Sequence, residues 1–128
     1  KKLVQWPNCS HDQAIEAMAR GRLLLLSERH EADAHHIIPA KLFEYLALSI
    51  PIIALGPPGG AIEPILNESR AGVYFVQGDL QGVEGYLYKA YQSYKNNGPQ
   101  TVEQVYNLPY ERRSLTKSLA TIIKEMTA

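Results

Sequence analysis

The chain has 128 residues, with 13 Lys+Arg set against 13 Asp+Glu, and 45% apolar residues. That is the length of one domain and an apolar share sufficient for a packed core, so disorder is excluded. A formal net charge of zero argues against a nucleic-acid binder or a polybasic membrane-surface protein, both of which need a basic face.

From the amino terminus, Leu3–Trp6 is a short apolar run bounded by Pro7-Asn8 and reads as a strand. Ser10-His11-Asp12-Gln13 is a capping box, and the helix behind it presents Ala14, Ile15, Met18 and Ala19 before Gly21 ends it. Leu23–Leu26 is an unbroken apolar run, expected as a strand buried on both faces. A polar stretch from Ser27 to His36 follows. A helix is then expected from near Pro39, whose missing N–H costs nothing in a first turn, with Leu42, Phe43, Leu46 and Ala47 apolar.

Pro51–Leu55 is the next buried strand, and Gly56-Pro57-Pro58-Gly59-Gly60 a tight loop at its carboxyl end. Ile62, Ile65 and Leu66 mark a helix closed by Ala71-Gly72, and Val73–Val76 a fourth strand. After Asp79 only helices are expected. One carries Val83, Leu87, Ala90, Tyr91 and Tyr94 and stops at Asn96–Pro99; a short one lies near Gln100–Tyr106; a last one carries Leu115, Leu119, Ile122, Ile123 and Met126. The chain therefore divides into an alternating strand/helix part, 1–78, and a helical part, 79–128. Such alternation gives a parallel sheet with helices on both faces.

Ligands of open parallel sheets bind outside the carboxyl ends of the strands. Three segments lie there, Pro7–Ser10, Ser27–Pro39 and Gly56–Gly60, and each precedes a helix. Gly59-Gly60 opens a helix and suits a phosphate or diphosphate, although an ordinary strand-to-helix turn looks the same. Lys41 and Glu44 share a face of the next helix upstream. They can hold a ribose and offset phosphate charge, or form a plain surface ion pair. His30, Glu31, Asp33, His35 and His36 match no metal-ligand spacing and read better as a solvated or substrate-contacting loop. The single cysteine, Cys9, excludes an internal disulfide, fits a reducing compartment, and reads as a partly buried structural residue. Tyr86, Tyr88, Tyr91 and Tyr94 read as packing residues rather than a stacking platform.

In series, Ser10–Glu16, the Leu23–Leu26 strand, Ile38–Ala47, Pro51–Leu55 and Gly59-Gly60 resemble the carboxyl-terminal domain of GT-B-type glycosyltransferases, close to the large family 4 group. The segment Pro39-Ala40-Lys41-Leu42-Phe43-Glu44-Tyr45-Leu46-Ala47 followed by Pro51-Ile52-Ile53-Ala54 carries most of the resemblance. It implies a Rossmann-like sheet flanked by helices, with a helical carboxyl-terminal tail. It also implies a donor-binding role in transfer of a sugar from a nucleotide diphosphate to a glycan, lipid or protein acceptor.

The resemblance assigns Glu44 to the ribose hydroxyls, Pro58, Gly59 and Gly60 to the diphosphate and sugar, and the Trp6–Cys9 loop, with Pro7 and Cys9, to the base. Arg29 and Lys41 are the local cations to offset the diphosphate charge. His36 stands where many members carry a second glutamate that engages the donor sugar; His36 and Lys41 are the catalytic candidates. No metal or cofactor is implied beyond the donor, a UDP-, GDP- or ADP-sugar. A nucleotide-sugar epimerase of the same fold and a non-catalytic Rossmann-like binding module are the alternatives.

The implied protein is bacterial, serves cell-surface polysaccharide biosynthesis in the cytoplasm, and is compatible with peripheral membrane association. The first residue is Lys1, not Met, and the strands present match the third to sixth of a 3-2-1-4-5-6 sheet. The chain is therefore expected to be about two-thirds of a donor domain from a longer enzyme. Its apolar Leu23–Leu26 edge is expected to be covered by Leu3–Trp6 or by a second copy of the chain.

Overall fold

A computed structural model describes residues 4–5, 7–28, 36–102 and 112–127. Its described residues form an α/β fold with a three-stranded, wholly parallel sheet and five helices. The strands are β1 (Leu24–Ser27), β2 (Ile52–Gly56) and β3 (Gly72–Val76), in the order β1-β2-β3. The helices are α1 (His11–Ala19), α2 (Ala40–Ala47), α3 (Ile62–Ser69), α4 (Leu80–Asn97) and α5 (Arg112–Thr127).

Local chemistry explains most boundaries. Ser10 and Gln13 form the full capping box of α1: the Ser10 hydroxyl accepts from the Gln13 amide at 3.3 Å, and the Gln13 side chain accepts from the Ser10 amide at 2.9 Å. Pro39 occupies the N-cap position of α2, where no amide is needed. Asp79 caps α4 by accepting from the Gly82 amide at 2.9 Å, and Gly98 ends it. α3 ends on Arg70 in the left-handed region (φ 53°), not on Ala71-Gly72. Gly72 is already in β3, because a Cβ there would run into the Ile52 carbonyl of the neighbouring strand. Tight backbone approach, rather than a turn, is what requires this glycine.

The register pairs Leu24 with Ile52 and Gly72, and Leu26 with Ala54 and Tyr74, so these residues share one face of the sheet. α2 and α3 cover that face. Leu42, Ile52, Ala54, Ile62 and Leu66 are wholly shielded, and Leu24, Leu26, Tyr45, Leu46 and Ile65 nearly so. Each fully buried Leu or Ile contributes about 1.5–3 kcal/mol, so this layer is the stabilising centre. Leu25, Ile53 and Leu55 point to the opposite face, where Tyr86 of α4 meets Phe75 of β3 edge-on, ring centroids 6.0 Å apart.

Several expectations change. β1 is not buried on both faces: Leu25 is 60% exposed, because α4 meets that face of the sheet at β3, the far edge from β1. Val4 and Gln5 take no part in a strand, and Val4 is exposed. Leu3 and Trp6 lie outside the described residues, and among the described residues β1 pairs with β2 alone. Gln100–Val102 are not helical; the rest of that expected helix lies outside the described residues. Of the four tyrosines only Tyr86 packs against the sheet, while Tyr88, Tyr91 and Tyr94 are exposed. α5 forms with the expected stripe, yet Leu115, Leu119, Ile122, Ile123 and Met126 are all more than half exposed. No helix among the described residues is long and apolar enough to cross a membrane.

Candidate functional site

Because all three strands are parallel, their carboxyl ends lie on one rim of the sheet, together with the starts of the helices that follow. The rim is tied across all three strands. The Glu28 amide, just beyond β1, donates to the Leu55 carbonyl at 2.8 Å, and the Gln77 amide, just beyond β3, donates to the Gly56 carbonyl at 2.8 Å. The Gln77 side-chain amide crosses the sheet end to donate to the Glu28 carbonyl at 3.0 Å. Backbone and side chain thus hold Glu28, Gly56 and Gln77 in one frame.

Within this frame lies a polar cluster. The Tyr74 hydroxyl is 2.8 Å from Glu28 Oε2 and 2.7 Å from the Pro57 carbonyl oxygen. Glu28 is only 5% exposed, and its other oxygen, Oε1, has no hydrogen-bond partner among the described residues. Burial, and then the hydrogen bond and charge of Glu28, push the Tyr74 hydroxyl well above its ordinary value; Glu63 adds to the shift, and the Gly60 amide opposes it. Gly56 and Gly60 form the wall of the cluster. A Cβ on either would collide with Glu28 Oε2 and the Tyr74 hydroxyl, so both positions exclude a side chain for packing reasons. Gly59 differs: it is exposed, has open space where a Cβ would stand, and adopts φ +71° to turn the loop.

The residues singled out from the sequence fall into separate groups. Pro58 and Gly59 are exposed at the tip of the β2–α3 loop, with Gly60 buried behind them against Tyr74 and Glu28. Lys41 is exposed in the first turn of α2. Glu44, one turn on, is about one-third exposed (34%), with Oε1 3.9 Å from Nε2 of His11 at the start of α1. His36 is exposed, just ahead of α2. Pro7 and Cys9 line a cavity of about 430 Å³ with Gln13, Glu16, Ala17 and Arg20 of α1. Cys9 is exposed rather than partly buried, since it precedes the α1 cap and no sheet element covers it. Arg29 lies outside the described residues, as do Trp6 and the His30–His35 stretch. Among the described residues no group of three or more His, Cys, Asp or Glu converges as a metal site.

α2, which carries Lys41 in its first turn and Glu44 one turn on, and α3, which follows the Gly59-Gly60 loop, have no side-chain N-cap, whereas α1 and α4 are capped. Glu28, Tyr74 and Gln77 were not foreseen. A signal for Glu28 was present: alternation along β1 puts it on the core-facing side with Leu24 and Leu26, where a carboxylate needs a reason. Nothing local marks Tyr74 or Gln77, which meet Glu28 from 46 and 49 residues away. No protein family, curated protein or solved structure matches the chain.

Proposed function

We propose that the chain is the donor-binding part of a glycosyltransferase that moves a sugar from a nucleotide-diphosphate sugar to a glycan, lipid or protein acceptor. The observation that carries this reading is the position of two motifs. Lys41 and the Gly59-Gly60 loop stand at the starts of two consecutive uncapped helices that follow adjacent parallel strands, with Glu44 one turn into the first of them. Both starts lie on the one rim at the carboxyl ends of the parallel strands, where a ribose and its diphosphate can span from one helix to the next.

In this reading the carboxylate of Glu44 accepts hydrogen bonds from two vicinal ribose hydroxyls. The free amides and positive ends of α2 and α3 face the diphosphate, with Lys41 adding a mobile positive charge. His36, exposed before α2, supplies a ring N–H to the donor. Transfer breaks the bond between the sugar's anomeric carbon and the diphosphate oxygen and forms one to the acceptor's hydroxyl oxygen, whose proton passes to the leaving diphosphate. The residues of this rim act by orienting the donor and stabilising the leaving diphosphate, not by forming a covalent intermediate.

The test is calorimetry of the chain with UDP, GDP and ADP, repeated on Glu44→Ala. One nucleotide should bind. The variant should lose about tenfold or more in affinity, the equivalent of one hydrogen bond to a charged group. Its melting temperature should stay unchanged, because Glu44 is not part of the core. Failure of all three nucleotides to bind, or equal affinities for the two proteins, overturns the reading in favour of a binding module of another kind. If the full reaction turns over a nucleotide sugar without an acceptor, the epimerase alternative replaces transfer.

A further inference from the structure

The strand-end rim is short of hydrogen-bond donors. The Tyr74 hydroxyl has one proton and faces two acceptors, Glu28 Oε2 at 2.8 Å and the Pro57 carbonyl at 2.7 Å. The Gly60 amide donates to the Pro57 carbonyl at 3.2 Å and also reaches the Tyr74 oxygen, and the Gln77 side chain is engaged with the Glu28 backbone carbonyl. Nothing among the described residues donates to Oε1 of a carboxylate that is 95% buried. Buried acceptors of this kind are costly and are normally satisfied. The carboxylate cannot turn away to find water, because Oε2 is wedged between Gly56, Gly60 and the Tyr74 hydroxyl.

The missing donor has a definable chemistry. A phosphate brings only acceptors and negative charge, and so repels a carboxylate at this range. A neutral hydroxyl supplies the proton without adding charge. We propose that Glu28 is the acceptor for a hydroxyl of the donor's sugar, and that the sugar lies against the Gly56–Gly60 wall on the Glu28 side while the diphosphate stays at the starts of α2 and α3. This assignment rests on the donor-binding reading given above and adds to it the subsite where the sugar is recognised. Oε1 is shielded from solvent, so a hydroxyl reaches it only by displacing a neighbour.

A residue retained for a ligand at the expense of the fold has a recognisable signature: replacing it relieves the fold and weakens recognition. Glu28→Gln keeps the shape and supplies the N–H donors that the cluster lacks. Thermal unfolding of the 128-residue chain should show an equal or higher melting temperature for E28Q. Calorimetry should then compare each bound nucleoside diphosphate with its sugar conjugate (UDP with UDP-glucose, GDP with GDP-mannose, ADP with ADP-glucose). The ratio of the two affinities should shift about tenfold against the sugar conjugate in E28Q, the loss of one charge-assisted hydrogen bond. Glu28→Asp, which withdraws the carboxylate by one methylene, should shift the ratio in the same direction.

An unchanged ratio in both variants overturns the proposal. So does a lower melting temperature in E28Q with parallel loss of both affinities, which would make Glu28 a structural brace. In either case the donor-binding reading stands, because nucleotide still binds the parent chain. If no nucleotide binds the parent chain, the donor-binding reading fails and this subsite fails with it.

Discussion

Removing the Tyr74 hydroxyl should be among the most damaging single-atom changes this fold can suffer. That oxygen is the hub joining Glu28, beyond β1, to Pro57, beyond β2, from a side chain on β3. Tyr74→Phe keeps the ring, which packs against the apolar cluster, and deletes only the hub. It leaves Glu28 with no donor to either carboxylate oxygen among the described residues. The hydroxyl has one proton to give, and losing its hydrogen bond to a charged, buried group costs about 1.5–3 kcal/mol, while the Pro57 carbonyl keeps the Gly60 amide. That loss is a large share of the roughly 5–15 kcal/mol that stabilises an ordinary domain. For a domain of this size it lowers the melting temperature by roughly 5–12 °C.

Far-UV circular dichroism against temperature and urea reads the effect directly. The pairing itself is isolated by a double-mutant cycle with Glu28→Gln. Because E28Q no longer needs the Tyr74 proton, Y74F should cost at least about 1 kcal/mol less in that background. A melting temperature within about 2 °C of the parent, or strict additivity in the cycle, would refute the idea that the hydroxyl serves Glu28.

The glycines of the fold should rank by what a methyl group would meet. Gly72→Ala presses on the Ile52 backbone and should cost most, about 3 kcal/mol; Gly56→Ala and Gly60→Ala press on the Glu28 and Tyr74 side chains rather than on backbone and should cost about 1–3 kcal/mol; Gly59→Ala meets nothing and should cost about 1 kcal/mol for its positive φ alone. Urea unfolding midpoints check the order, and a Gly59 variant as damaging as the Gly72 variant would contradict it. Alkaline stability follows from the tyrosines. Burial raises Tyr74, Tyr45 and Tyr86 above the ordinary value of 10.0, with Glu28 adding to Tyr74 and Glu44 to Tyr45. The folded chain therefore keeps phenolic protons that the unfolded chain releases. Stability from this source is complete below about pH 10 and falls as the pH rises further, by up to about 1.4 kcal/mol per pH unit for each such tyrosine. Melting temperatures between pH 8 and 11 should be flat and then decline, with a shallower decline in Tyr74→Phe; equal slopes in the two proteins would remove Tyr74 from the account.

The exposed apolar surface of the helical part is also informative. Leu115, Leu119, Ile122, Ile123 and Met126 of α5 share a stripe, and Tyr91 and Tyr94 of α4 join Leu23 and Pro51 along a groove of about 640 Å³. Periodicity alone identified both stripes as apolar faces. It could not say whether anything covers them, because a helical pattern encodes which residues share a side and nothing about the opposite surface.

The same division runs through the whole chain. The alternation of strands and helices, the capping box at Ser10, the stop at Gly98, the placing of Lys41 and Gly59-Gly60 at helix starts and of Glu44 on the helix with Lys41 were all legible in order along the sequence. Each depends on interactions within a few residues: hydrophobic period, a cap side chain, a residue able to take a special φ. Tertiary structure alone decided that Leu25 faces outward, that Cys9 is exposed, and that Gly60 is glycine to make room for Tyr74 and Glu28. It alone revealed a buried carboxylate short of a donor. Residues 28, 57 and 74 meet because three parallel strands end in register, and register is set by the packing of whole elements, which no local pattern spells out.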